Sequence, residues 1–158
     1  MSDSARKTQV NRAMDVIRGY ADHDATVVRD ALAGLDAVGW IEAYAVLSGL
    51  LRSTISILEL TGEEWKVGRV IEHVDEVASA APPHYEFVIA EAARAWACGD
   101  QSALRALAGR DPLGAVHVTA VFVAVLGLAL WGRTEFLGVL TACDESVGAI
   151  VNDQSSGF

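Results

Sequence analysis

An apolar run at residues 113–131 constrains the fold of this chain more than any other feature. Only His117 and Thr119 carry markedly polar side chains in it. A run of this length either spans a membrane or forms a helix enclosed by other helices. No second run of this kind is found in the sequence, and Arg110 and Arg133 beside it give no strong charge bias of the sort that orients membrane helices. We therefore expect a buried core helix and no membrane association.

The rest of the sequence also predicts helices. Apolar residues recur at spacings of three and four, and the chain has only three prolines. Asp24 is expected to cap a short helix, and Asp111 is expected to cap the apolar one. We predict an all-α fold, a helical bundle of about eight helices, with one helical domain at residues 1–151 and a flexible polar tail at residues 152–158.

The order of helix lengths suggests an internal duplication. Lengths run medium, short, long, medium, and then repeat, which predicts two pseudo-repeated four-helix units at residues 5–80 and 83–150. The matches that matter are helix caps and glycines at equivalent helix ends, because these depend on backbone geometry. The aligned pairs include Tyr20 with Trp96, Asp24 with Asp100, Arg29 with Arg105, and Gly62 with Gly132.

The two units are expected to pack around their two long apolar helices, the third and the seventh. The third is predicted at residues 40–61 and the seventh at residues 112–132. Small side chains at Ala45, Gly49 and Gly127 would let these two helices approach closely.

Charge narrows the choice of partner. The 158 residues carry a formal net charge of −9, which argues against nucleic acid, since nucleic-acid binding depends on clustered Lys and Arg. An acidic surface would instead suit a basic protein partner. The polar N-terminus lacks the pattern of a signal peptide, and the two cysteines fit neither a disulfide framework nor a metal spacing, so we expect a cytoplasmic protein.

One side of the third helix is the candidate ligand-binding site. Arg52 lies midway along this apolar helix and must either pair with an acid such as Glu42 or Glu59, or stay partly exposed, or project into a polar groove. If a pocket exists, we expect it along a stripe of spaced polar residues, namely Ser48, Arg52, Ser56 and Glu59.

His117 is a second candidate because it interrupts the most apolar helix. It either finds a hydrogen-bond partner in the core or faces a ligand. Thr119 is expected to bond to a carbonyl one turn back.

Protein association is the leading functional hypothesis. The apolar content exceeds what one small bundle would be expected to hide, and Trp40, Trp65 and Trp131 at helix ends would suit an interface. We expect a non-catalytic homodimer. One specific form of this hypothesis is a regulator or inhibitor that binds a basic partner. A bundle that binds a small molecule in an apolar interhelical pocket is the alternative.

An enzyme ranks third. The sequence contains no nucleophile elbow, phosphate-binding glycine loop, zinc motif or dinucleotide fingerprint. We therefore assign no catalytic residue, no metal site and no cofactor.

Overall fold

The described part of the chain is a bundle of α-helices. A computed structural model describes the backbone of residues 3–61, 67–97 and 102–156, and the side chains of residues 9–60, 73–96 and 102–142. No strand occurs in these residues, which confirms the all-α prediction. The helices are α1 (Asp3–Ala21), α2 (Ala25–Leu32), α3 (Ala37–Thr61), α4 (Val67–Ala78), α5 (Glu86–Ala97), α6 (Ser102–Arg110) and α7 (Pro112–Ser156), with a 3-10 turn, Pro83–Tyr85, before α5.

The described residues form seven α-helices where eight were expected. The last two predicted helices form one element, α7, in which Gly132 alone leaves the helical conformation, at φ 75° and ψ 166°. Glycine alone adopts this region readily, because it has no Cβ. The predicted helix end at Gly132 is therefore confirmed, and α7 consists of two helical segments, residues 112–131 and 133–156, that meet at this kink.

Aspartates begin three of the helices. Asp24 Oδ1 accepts hydrogen bonds from the backbone N–H groups of Thr26 and Val27, which confirms the predicted cap of α2. Asp111 caps α7 by accepting from the Gly114 N–H at 3.0 Å. Asp36 accepts from the Gly39 N–H at 2.9 Å, so α3 begins at Ala37, earlier than the predicted start at residue 40.

The first part of α7 is the centre of the bundle. Every residue from 114 to 127 is buried, as expected for the apolar run. Around it pack α1, α3, α4, α5 and α6, and α7 packs against α3 as predicted for the two long helices. Gly49 does not contribute to that contact, since a Cβ added there would have no neighbour within 4 Å, and Ala45 is exposed.

The two halves of the chain pack differently. Helix α1 packs against α2, α3 and α7, and its Tyr20 is fully buried. Helix α5, the predicted counterpart of α1, packs mainly against α4 and α7, and α3 is not among its main neighbours in the described residues. Trp96, the predicted counterpart of Tyr20, is only half-buried. One side of α3 is therefore left uncovered where α5 would lie in a symmetric bundle.

Two helices are long and apolar enough to cross a membrane by length and composition, whereas the sequence pattern indicated one. They are Ala37–Leu60 in α3 and Pro112–Ala142 in α7. The apolar window of the second is 78% buried in the bundle, as in the core helix of a folded domain, and that of the first is 28% buried. Helix α3 therefore keeps much apolar surface exposed.

Candidate functional site

A groove of about 660 Å³ runs between α3 and the pair α5 and α6, with α7 beneath it. Its α3 wall is formed by residues three or four apart, which share one face of a helix. Helices α5 and α6 supply the opposite wall, and α7 supplies the floor. The lining residues are Ile41, Tyr44, Ala45, Ser48, Leu51, Arg52, Ile55, Ser56, Glu59, Ala92, Trp96, Leu104, Arg105 and Phe122.

The deepest part of the groove is apolar and aromatic. Phe122 of α7 is 2% exposed and stacks on Trp96 of α5, with ring centroids 5.5 Å apart and an angle of 27° between the rings. Leu51 and Ile55 face them from α3. Ala92 lies one turn before Trp96, and its small side chain leaves room beside the indole.

Charged side chains lie at the rim. Arg52 of α3, Glu59 of α3 and Arg105 of α6 are all exposed and line the groove. Neither arginine has an ion pair with another residue whose side chain the structure describes. The rim thus carries two guanidinium groups and one carboxylate, a local excess of positive charge on a chain of net charge −9.

One polar atom inside the groove lacks a partner. The Oγ atom of Ser48 is buried and makes no hydrogen bond with the described residues. A buried hydroxyl without a partner costs free energy, and such groups in folded proteins call for an explanation. The Oγ atom is not accessible to solvent, so it lies within the wall of the groove and not on its open surface.

The structure brings the predicted stripe into one place. Ser48, Arg52, Ser56 and Glu59 all line the groove, and the pairing of Arg52 with Glu42 or Glu59 is not formed among the described residues. Their role in ligand binding stays a prediction. Sequence reasoning missed Trp96 and Arg105, although the repeat alignment had matched both with residues of the first half.

His117 lies outside the groove, in the core. It is 3% exposed, and its Nδ1 atom is 2.6 Å from the hydroxyl oxygen of Tyr20. Tyr85 packs on the imidazole with ring centroids 5.0 Å apart, and His84 packs on Tyr85 at 4.2 Å. His117 is thus a core histidine with a hydrogen-bond partner, the first of the two alternatives that the sequence left open.

Burial controls the protonation of this cluster. It lowers the pKa of the His117 imidazole to about 4, an effect that His84 reinforces and Asp111 opposes. Burial also raises the pKa of the Tyr20 hydroxyl. At neutral pH the ring is therefore neutral, and Tyr20 donates to Nδ1 when the ring proton is on Nε2.

Thr119 gives a prediction about stability. It is fully buried, and its Oγ1 atom has no hydrogen-bond partner in the described residues, so the expected bond to a carbonyl one turn back is wrong. Thr119→Val removes an unsatisfied hydroxyl with little change of shape and should raise the free energy of unfolding by about 1–2 kcal/mol. Urea unfolding followed by circular dichroism measures this change.

Thr54→Val is the matched control. Thr54 is also a buried helical threonine, but its Oγ1 donates to the Leu50 carbonyl at 2.7 Å. The same substitution should therefore lower the free energy of unfolding by up to about 1 kcal/mol. Equal destabilisation by both substitutions would show that the Thr119 hydroxyl is satisfied.

Trp40 and Trp131, two of the predicted interface tryptophans, are not among the exposed large apolar residues. Trp40 and Trp131 are half-buried against the core, with Trp131 stacked on Phe136, while Trp65 lies outside the described residues. Their role in a homodimer stays a prediction. The exposed large apolar side chains of α3 are Val38, Ile41, Ile57 and Leu60.

A second, smaller pocket lies near the end of α4. His23 and His73 each lie 3.9 Å from a carboxylate oxygen of Glu76, and all three side chains are exposed. The described residues contain no group of three or more His, Cys, Asp or Glu side chains arranged to hold a metal ion. These contacts are those of a solvated charged surface.

The groove along α3 is therefore the candidate site, with an aromatic floor, an unpartnered hydroxyl and a charged rim. No known protein family, curated protein or solved structure matches this chain.

Proposed function

We propose that the protein binds an apolar small molecule in the groove between α3, α5, α6 and α7. The observation that carries the proposal is the groove itself. Its volume of about 660 Å³ lies within the range of roughly 300–1,000 Å³ that is usual for small-molecule sites. Its composition also fits, because such sites combine an apolar lining with a few polar groups that orient the ligand.

The packing of the bundle supports this function. The groove lies on the side of α3 that α5 leaves uncovered, so Leu51, Ile55 and Trp96 face a gap. Filling the gap with an apolar ligand would remove this surface from water, which is favourable in proportion to the area buried.

Binding is tested with Nile red, an uncharged dye that fluoresces in apolar surroundings. We expect saturable binding of one dye per chain. Ala92→Phe should abolish it, because the added ring would occupy the groove beside Trp96. Ala45 is exposed at the rim of the α3 wall, opposite Ala92. Ala45→Phe is therefore the second filling variant, a substitution whose added ring occupies the groove.

Ala106→Phe is the matched control. Ala106 is exposed on α6 and does not line the groove, so the same substitution should leave dye binding unchanged. Circular dichroism melts of each variant establish that the fold is intact. Dye binding that survives in both folded filling variants would contradict the proposed function.

A further inference from the structure

The two arginines of the groove lack the partners that other arginines have among the described residues. Other arginines serve the fold: Arg12 donates to the carbonyls of Ala31 and Ala33, and Arg133 pairs with Asp22 at 2.7 Å. Arg52 and Arg105 make no such bond with the residues that the structure describes. A guanidinium group forms its strongest hydrogen bonds with carboxylate or phosphate oxygens.

The position of these arginines selects the charge of the ligand. Arg52 extends from α3 and Arg105 from α6, so the two cations border the same apolar space from opposite walls. Glu59 is the one carboxylate among the lining residues. Two positive charges and one negative charge leave one net positive charge in the groove, which a single anionic group would neutralise. A cation would meet net repulsion.

Ser48 lies on α3 one helical turn before Arg52, but its Oγ atom is not accessible to solvent, so the polar contacts to a ligand come from the two arginines. The remaining lining deeper in the groove is apolar, with Leu51, Trp96 and Phe122 available to the rest of the molecule.

We propose that the ligand is an amphipathic monocarboxylate, with its carboxylate bound between Arg52 and Arg105 and its apolar part lying on Trp96 and Phe122. This inference rests on the proposed function, since it names the chemistry of the molecule that the groove binds. The guanidinium groups donate to the carboxylate oxygens, and their two positive charges disfavour a cationic ligand.

Displacement of Nile red by three ligands whose main chain has ten carbons tests the proposal. Decanoate carries the carboxylate, 1-decanol is uncharged, and decyltrimethylammonium is cationic. We expect decanoate to bind about tenfold more tightly than 1-decanol, the effect of one charge-assisted hydrogen bond. The cation should bind more weakly than 1-decanol.

Substitutions identify the groups responsible. Arg52→Gln and Arg105→Gln should each weaken decanoate binding by about threefold, because two equal contributions multiply to the tenfold preference, and should leave 1-decanol binding unchanged. Arg29→Gln is the matched control, because Arg29 is exposed on α2, outside the groove, and is the predicted repeat counterpart of Arg105. It should change neither affinity.

The outcomes separate the two proposals. The carboxylate proposal would be overturned by equal affinity for decanoate and 1-decanol, by a preference for the cation, or by failure of decanoate to displace the dye. It would also be overturned if both arginine variants retained the decanoate preference in full. Groove binding would still stand in those cases, provided that Nile red binds and the filling variants abolish that binding. Absence of saturable Nile red binding would instead overturn the proposed function.

Discussion

Replacing Gly127 with alanine is expected to lower the free energy of unfolding by roughly 3 kcal/mol, the upper part of the usual cost of overpacking a core. A Cβ at this position would lie 2.0 Å from the Cε2 atom of Phe136. Phe136 is 1% exposed and stacks on Trp131 at 6.0 Å, so its ring has little space into which it can move. Chemical unfolding followed by circular dichroism measures the loss.

Gly49→Ala is the matched control for this substitution. Gly49 is also a glycine within a long helix, but a Cβ there would contact nothing within 4 Å. Alanine should therefore stabilise the protein by about 0.5–1 kcal/mol, because it is the better helix former. In the Gly127→Ala background, Phe136→Leu should recover part of the lost stability. A Gly127→Ala variant as stable as the wild type would show that Phe136 does not pack on Gly127.

Acidification from pH 6.5 to pH 4 is expected to remove roughly 3 kcal/mol of stability through His117 alone. The imidazole has a pKa of about 4 in the folded protein, against 6.5 in the unfolded chain. Between these values the unfolded chain binds more protons, so protonation favours unfolding and stability falls as the pH falls. Below about pH 4 the ring is protonated in both states and this loss ends.

Urea unfolding at several pH values between 7 and 4 measures this dependence. His117→Gln keeps a polar side chain beside Tyr20 but removes the titrating group, so its stability should fall less steeply over the same range. Equal slopes for the wild type and His117→Gln would contradict burial of a neutral imidazole.

The helical fold follows from local patterns in the sequence. The caps at Asp24 and Asp111 and the break at Gly132 depend on residues adjacent in the chain, and each lies where the sequence predicted it. The start of α3 was predicted too late because Gly39 obscured the cap at Asp36. No loop follows Gly132, so the two predicted helices on either side of it are joined directly in α7.

The candidate site was only partly predictable. Ser48, Arg52, Ser56 and Glu59 share one face of a single helix, so helical spacing placed them together. Trp96, Arg105 and Phe122 join them only through the packing of α5, α6 and α7, which local spacing does not determine. The bond between His117 and Tyr20 links residues 97 positions apart and was likewise not visible in any short pattern.

A crystal structure of the protein grown with decanoate tests whether the groove along α3 binds a ligand. We expect the alkyl chain of decanoate between Leu51, Trp96 and Phe122, with a carboxylate oxygen within hydrogen-bond distance of Arg52 or Arg105. Decanoate bound elsewhere, with the groove closed by its own side chains, would contradict ligand binding in the groove.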